Sequence, residues 1–241
     1  MSMFILNIAA YRFVALSELP ALREQFLTEC ERLQLKGTVL LAPEGINLSL
    51  AGIAASVALL KAYLQQDARF ADMMFRETVS DFVPFKRLKV KLKKEIIALR
   101  RPEVQPEKNR APAISPEIFK QWLDEKRDIT VLDTRNNYEV ELGTFQNAVN
   151  LALNDFCEFP EAITHVDRSK PVVMFCTGGI RCEKASIVMQ NAGFSKVYQL
   201  EGGILNYFKK VGDAYYHGEC FVFDERVVVS AVCPHPDPLP L

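Results

Sequence analysis

The first hundred residues switch between two hydrophobic periods. Residues 4–14 form an apolar stretch of strand length, and Leu22, Phe26, Cys30 and Leu33 then recur at helical spacing behind Ser17, which stands where a cap belongs. Two apolar runs, 38–42 and 47–50, flank Pro43-Glu44-Gly45-Ile46, whose turn residues predict a hairpin. A second amphipathic helix is expected over 53–64, with strand material at 75–79 and 88–99. The turn string Glu44 to Asn47 suits a tight hairpin or a substrate contact equally well.

That order, βαββαβ, predicts a ferredoxin-like or acylphosphatase-like α+β sandwich: an antiparallel sheet with helices on one face. The rest of the chain alternates differently. Ser115-Pro116 opens a helix through Phe119, Trp122 and Leu123, and strands are expected at 129–133, 148–153, 171–175 and 197–200. Residues 171–175 are continuously apolar, as in a strand buried on both faces, and a helix over 182–191 ends at Gly193. Strands alternating with helices predict an α/β domain around a central parallel sheet. Three prolines and several charges over 101–112 read as a linker. The expected organisation is therefore a domain over 1–100, a linker over 101–112, a domain over 113–211 and an irregular extension over 212–241. Four prolines fall in the last nine residues, a composition that suits neither helix nor central strand.

Composition narrows the class. With 49% apolar and 24% charged residues the chain buries real cores, which excludes wholesale disorder. No apolar run approaches the ~18 residues of a membrane span, and the apolar opening lacks a basic flank and a cleavage site. Six scattered cysteines point to a reduced, cytoplasmic protein without a disulfide scaffold. The net charge is −1, but residues 1–105 hold 15 Lys/Arg against 11 Asp/Glu and the remainder 14 against 19. Six positive charges between Lys86 and Lys94 account for the N-terminal surplus. On a strand Arg87, Lys89, Lys91 and Lys93 share one face, about 6.6 Å apart, and Leu88, Val90 and Leu92 the other.

The densest chemistry lies in Phe175-Cys176-Thr177-Gly178-Gly179-Ile180-Arg181-Cys182-Glu183-Lys184-Ala185. A buried strand ends at Cys176, a two-glycine turn follows, and a helix begins near Arg181. Ligands of open parallel sheets bind at this carboxyl end, where inward-pointing amides and a helix start concentrate positive potential. A cysteine cradled there is expected as a thiolate nucleophile. Arg181 is five positions after Cys176, with Cys182 sixth; the short loop suits a guest smaller than phosphate, such as a persulfide sulfur. Arg181 either orders the loop or pairs with an anionic group. Cys182 either resolves an oxidised Cys176 or packs in the first helical turn. Asp133 and Arg135 either support the site or form a salt-bridged loop with Glu139. Cys30 reads as core, Cys157 and Cys220 have no partner spacing, and His165, His217 and His235 are isolated. No metal or flavin site is recognisable.

The cysteine loop resembles a rhodanese domain, as do Asp133-Thr134-Arg135-Asn136-Asn137-Tyr138-Glu139 followed by Gly143 and Asn147-Ala148, and the later Gly202-Gly203-Ile204. The string Gly143-Thr144-Phe145 departs from the motif, which usually has His after that glycine. The unbroken loop string, with Glu44-Gly45-Ile46-Asn47 before it and Phe221-Val222-Phe223-Asp224-Glu225-Arg226 after, is similar to the tRNA uridine hydroxylase family. That resemblance implies oxygen-dependent conversion of uridine at tRNA position 34 to 5-hydroxyuridine, with Cys176 as the catalytic sulfur and Thr177 to Ile180 as its loop. It also implies tRNA as partner and molecular oxygen as co-substrate, with DNA and membrane not expected. Rhodanese-type sulfur transfer by a Cys176 persulfide is the alternative. Beside this resemblance the basic strand reads as an RNA contact, though edge lysines that discourage aggregation share the pattern. Family members commonly continue past the Phe-Asp-Glu-Arg string into a cysteine-containing tail. Here the sequence runs through Val227-Val228-Val229-Ser230 into the prolines, an expected truncation or frame change, and Cys233 alone cannot supply the roughly four ligands of a zinc site.

Overall fold

The alternating periods of the first hundred residues become β1 (Ile5–Phe13), α1 (Leu19–Arg32), β2 (Lys36–Ala42), β3 (Gly45–Gly52), α2 (Ala54–Gln65), β4 (Arg76–Ser80) and β5 (Leu88–Leu92) in a computed structural model that describes residues 4–231. The proline-rich tail with Cys233 and His235 lies outside the described residues. The chain divides into two units, Met1–Ala98 and Leu99–Leu241.

In the first unit the sheet order is β4-β1-β3-β2-β5. Leu22, Phe26 and Cys30 of α1 and Val57, Leu60 and Leu64 of α2 pack with Val39, Leu41, Leu48 and Leu50 in one core. Two expectations are corrected. The sheet is mixed rather than antiparallel, because β5 pairs in parallel with β2 at the edge opposite β4. The last strand also stops near Lys93 instead of running to residue 99. Its ladder ends where Lys93 N–H donates to Leu41 O at 2.8 Å. Beyond it, Ile96 N–H donates to the Glu44 carboxylate at 2.7 Å and the Asn47 amide donates to Ile96 O at 3.2 Å. Side chains of the β2–β3 hairpin, Glu44 in its turn and Asn47 early in β3, thus take the backbone groups that a ladder would use. Ser17 is not the cap of α1: Glu18 holds that position in a left-handed conformation, with no side-chain cap.

The second unit comprises β6 (Ala113–Ile114), α3 (Pro116–Asp124), β7 (Thr130–Asp133), α4 (Asn137–Val140), β8 (Gly143–Phe145), β9 (Val149–Asn150), α5 (Phe159–Ala162), β10 (Val172–Phe175), α6 (Ile180–Asn191), β11 (Val197–Leu200), α7 (Gly203–Val211), β12 (Tyr216–Gly218), β13 (Cys220–Phe221) and β14 (Val228–Val229). A parallel five-stranded sheet runs β6-β11-β10-β7-β9, with β10 central and wholly buried. Ser115 caps α3 as expected, accepting from Ile118 N–H at 3.2 Å.

Three further expectations change. The strand placed at 148–153 shrinks to the two residues of β9 plus a bridge between Asn136 and Leu153. The proline-rich stretch over 101–112 is not a loose linker. Val104 and Ala111 are buried, and Ala111 O accepts from the Gln199 side chain at 2.9 Å, binding the stretch to the second unit. Among the described residues of the extension, the chain is not irregular either: β12 pairs with β8, and β13 pairs with β14. Among the described residues no helix is long and apolar enough to cross a membrane.

Candidate active site

Cys176 follows β10 at the carboxyl end of the parallel sheet, where the register sets Phe175 beside Asp133 of β7. The Gly179 N–H donates to Cys176 Sγ at 3.0 Å. The Arg181 N–H and the Cys182 thiol donate to the same sulfur. Gly179 caps α6 with φ +97°, a conformation that turns its amide inward and favours glycine. The outer side of the loop is secured by α7: Ile204 and Leu205 N–H groups donate to the carbonyls of Cys176 and Thr177 at 3.0 and 3.1 Å. Gly203 makes that approach feasible, since a Cβ there would stand 2.4 Å from Cys176 O at φ +68°. A Cβ at Gly178 would meet nothing within 4 Å, so the loop is open on that side.

Burial alone would raise the thiol of Cys176. It is outweighed by the hydrogen bond from Cys182, the Arg181 guanidinium and the two amides, which together lower the thiol from 9.0 to about 5. Cys182 moves the opposite way, held well above its ordinary value by burial and by its neighbour's sulfur, and its Sγ lies 3.7 Å from Thr134 Oγ1. The pair is therefore a thiolate and a thiol that donates to it.

Arg181 is buried, and its Nη1 and Nη2 donate to Glu139 Oε2 and Oε1 at 2.5 and 2.7 Å. This corrects the expected grouping of Glu139 with Asp133 and Arg135. Those two chelate each other across one intervening residue, with Arg135 Nε to Asp133 Oδ1 at 2.9 Å and Nη2 to Oδ2 at 2.7 Å, both side chains inaccessible. Arg135 Nη2 also donates to Gly143 O at 2.6 Å and Thr144 Oγ1 donates to Asp133 Oδ2 at 2.8 Å. Asp133 and Arg135 thus brace the loop after β7, leaving the Glu139 carboxylate to Arg181. Thr177 Oγ1 donates to Phe221 O at 3.4 Å, tying the cysteine loop to β13.

Cys220 and Phe223 were not singled out by spacing. Cys220 is buried, and that burial pushes its thiol up to about 12, so it stays neutral. Phe223 is exposed, with the Arg181 guanidinium 6.0 Å from its ring centroid. Cys220 and Val222 are buried and Phe221 half-buried, but the four residues Cys220 to Phe223 are uniformly apolar, so no polar alternation in the sequence marks either residue. In the first unit, Arg87, Lys91 and Lys93 are exposed and Lys89 is half-buried on the edge strand. Lys91 and Lys93 also line a cavity of about 550 Å³ together with Arg23.

An acylphosphatase-like sheet followed by a cysteine cradle on a parallel sheet defines a two-domain rhodanese protein. Residues 5–96 match the UPF0176 acylphosphatase like domain and residues 115–210 the rhodanese-like domain. Similar curated proteins bear the name tRNA uridine(34) hydroxylase. That of Ralstonia nicotianae is 52% identical, covering 95% of this chain and 84% of the relative. That of Thiobacillus denitrificans is 50% identical over 95% of this chain and 96% of the relative. The chain belongs to the tRNA uridine(34) hydroxylase family.

Proposed function

We propose that this protein hydroxylates uridine at position 34 of tRNA to 5-hydroxyuridine, with Cys176 as the catalytic nucleophile and molecular oxygen as co-substrate. The observation that carries the reading is the convergence of two backbone amides and the Cys182 thiol on one sulfur beside a buried guanidinium. Uracil is an electrophile at C6, conjugated to the C4 carbonyl. Addition of the Cys176 thiolate there moves the ring electron pair toward C5, the carbon that must bond to oxygen. The C5 carbanion takes up dioxygen as a C5 hydroperoxide. Two electrons and two protons from a thiol-class reductant cleave its O–O bond, leaving a C5 hydroxyl and releasing water. Departure of the Cys176 sulfur with loss of the C5 proton then restores the double bond and the thiolate. Arg181 and Cys182 hold the sulfur ionised for the first step. The same amides suit the terminal sulfur of a persulfide, and a cyanide–thiosulfate assay measures that second activity separately. The direct test is nucleoside mass spectrometry of tRNA from cells lacking the gene. Returning the wild-type gene restores 5-hydroxyuridine if the reading holds, and its continued absence refutes it.

Arg87, Lys89, Lys91 and Lys93 support the reading as a phosphate track. Gly37 N–H donates to Arg87 O at 3.2 Å, so the parallel ladder embraces all four positions up to Lys93. Their spacing of about 6.6 Å roughly matches successive phosphates of a single strand. Replacing Arg87, Lys89 and Lys91 by serine is expected to weaken tRNA binding at low salt and flatten its salt dependence by up to about three phosphate contacts. Filter binding across a salt series checks this, and unchanged affinity at low salt would remove RNA binding from the strand.

A further inference from the structure

Three aromatic rings from two distant segments meet beside the cysteine cradle without being buried by it. Phe221 packs edge-to-face on Tyr138 at 5.3 Å and on Phe223 at 5.0 Å, with interplanar angles of 84° and 89°. Tyr138 is 44% exposed and Phe223 63%, whereas the aromatic residues of the neighbouring core, Phe145 and Tyr207, are inaccessible. Leaving a phenyl ring this open forfeits the burial that normally stabilises it.

The ring is held in place. Arg226 and Asp224 pair through Nε and Oδ1 at 2.7 Å and close the turn that follows Phe223, and Val222 is buried behind it. Phe221 O accepts from Thr177 of the cysteine loop at 3.4 Å. Arg181 gives its backbone amide to the catalytic sulfur and its guanidinium to the Phe223 ring. One residue therefore joins the exposed ring to the reacting atom.

From this juxtaposition the geometry points to Phe223, backed by Phe221 and Tyr138, as a stacking platform for a single unpaired pyrimidine base. The base rests on the open ring with its edge toward Cys176. A base inside a stacked loop does not present C6 to a buried thiolate, so the target nucleotide has to leave its neighbours, and an exposed aromatic face compensates for the lost stacking. Stacking of a base on an aromatic side chain tolerates any base identity, so the platform supplies position while the thiolate supplies the chemistry. This inference rests on the reading of the site as a uridine hydroxylase.

The test is binding of a synthetic anticodon stem-loop RNA with uridine at position 34, compared with the same RNA abasic there. Wild-type protein is expected to prefer the intact RNA by about tenfold or more, the range of one base–aromatic stack. Phe223→Leu, which keeps apolar bulk without a π-face, is expected to bind both RNAs equally, at the level of wild type with abasic RNA. Phe223→Tyr is expected to keep the preference. Phe223→Leu with the wild-type preference, or wild type with no preference, overturns the platform. Indifference to the base is also what docking of a protein or a second copy on these rings predicts. Equal weakening of both RNAs by Phe223→Leu overturns it too, as a general structural effect. The hydroxylase reading fails separately, by absence of 5-hydroxyuridine from the tRNA of cells carrying the wild-type gene.

Discussion

tRNA from a gene-deleted strain carrying Cys176→Ser is expected to contain no 5-hydroxyuridine, while the wild-type gene restores it. The substitution exchanges one atom in a position lined by donors: the Gly179 and Arg181 amides and the Cys182 thiol. A serine oxygen accepts the same bonds, so the loop and the sheet beneath it keep their shape. The chemistry does not survive. The cradle brings a thiol from 9.0 to about 5, but an alcohol starts so much higher that the same influence leaves it protonated at neutral pH. Nucleoside mass spectrometry reads the outcome, with equal accumulation of the two proteins as control. Full hydroxylation with serine at 176 would remove the sulfur from the mechanism.

Glu139→Ala is expected to be the most destabilising single change at the site. The carboxylate is inaccessible, takes both terminal nitrogens of Arg181, and accepts from the Asn136 N–H at 3.1 Å, closing the capping box of α4. Removing it strands a guanidinium whose own side chain is 6% exposed. Breaking a buried pair from one side costs about 3–5 kcal/mol, because the remaining charge keeps its desolvation penalty. For a unit of this size that is a fall in melting temperature of about 10–20 °C. Glu139→Leu combined with Arg181→Met replaces both charges by apolar volume and is expected to recover much of the loss. Circular-dichroism melts of the full chain measure both variants. A fall of only a few degrees for Glu139→Ala would show that Arg181 finds water or another partner.

These two sites differ in how far they could be read from the chain. The Cys176 loop was legible because its features are consecutive: an apolar strand, two glycines, an arginine and a helix start occupy adjacent positions. The Glu139–Arg181 pair was not, since its members lie 42 residues apart and Asp133 and Arg135 offered nearer partners. What decides it is local geometry, because Asp133 and Arg135, two positions apart on a turn, chelate each other and leave Glu139 to Arg181. The α/β alternation and the βαββ core were legible from period alone. The end of β5 was not, because Glu44 and Asn47 terminate it by capturing Ile96 from a distant turn. The short strands of the extension's described residues were obscured by the prolines that follow them, and the uniformly apolar run Cys220 to Phe223 shows no alternation to mark a strand face.

The central claim, a Cys176 sulfur ionised by the Cys182 thiol, the Arg181 guanidinium and two loop amides at the mouth of a parallel sheet, is tested most directly by titrating that sulfur. The ultraviolet thiolate absorbance of wild type minus that of Cys176→Ser isolates it from the other cysteines. The account predicts a midpoint near pH 5, so that about 99% of the sulfur is ionised at pH 7. A midpoint near 9, with about 1% ionised at pH 7, would contradict it.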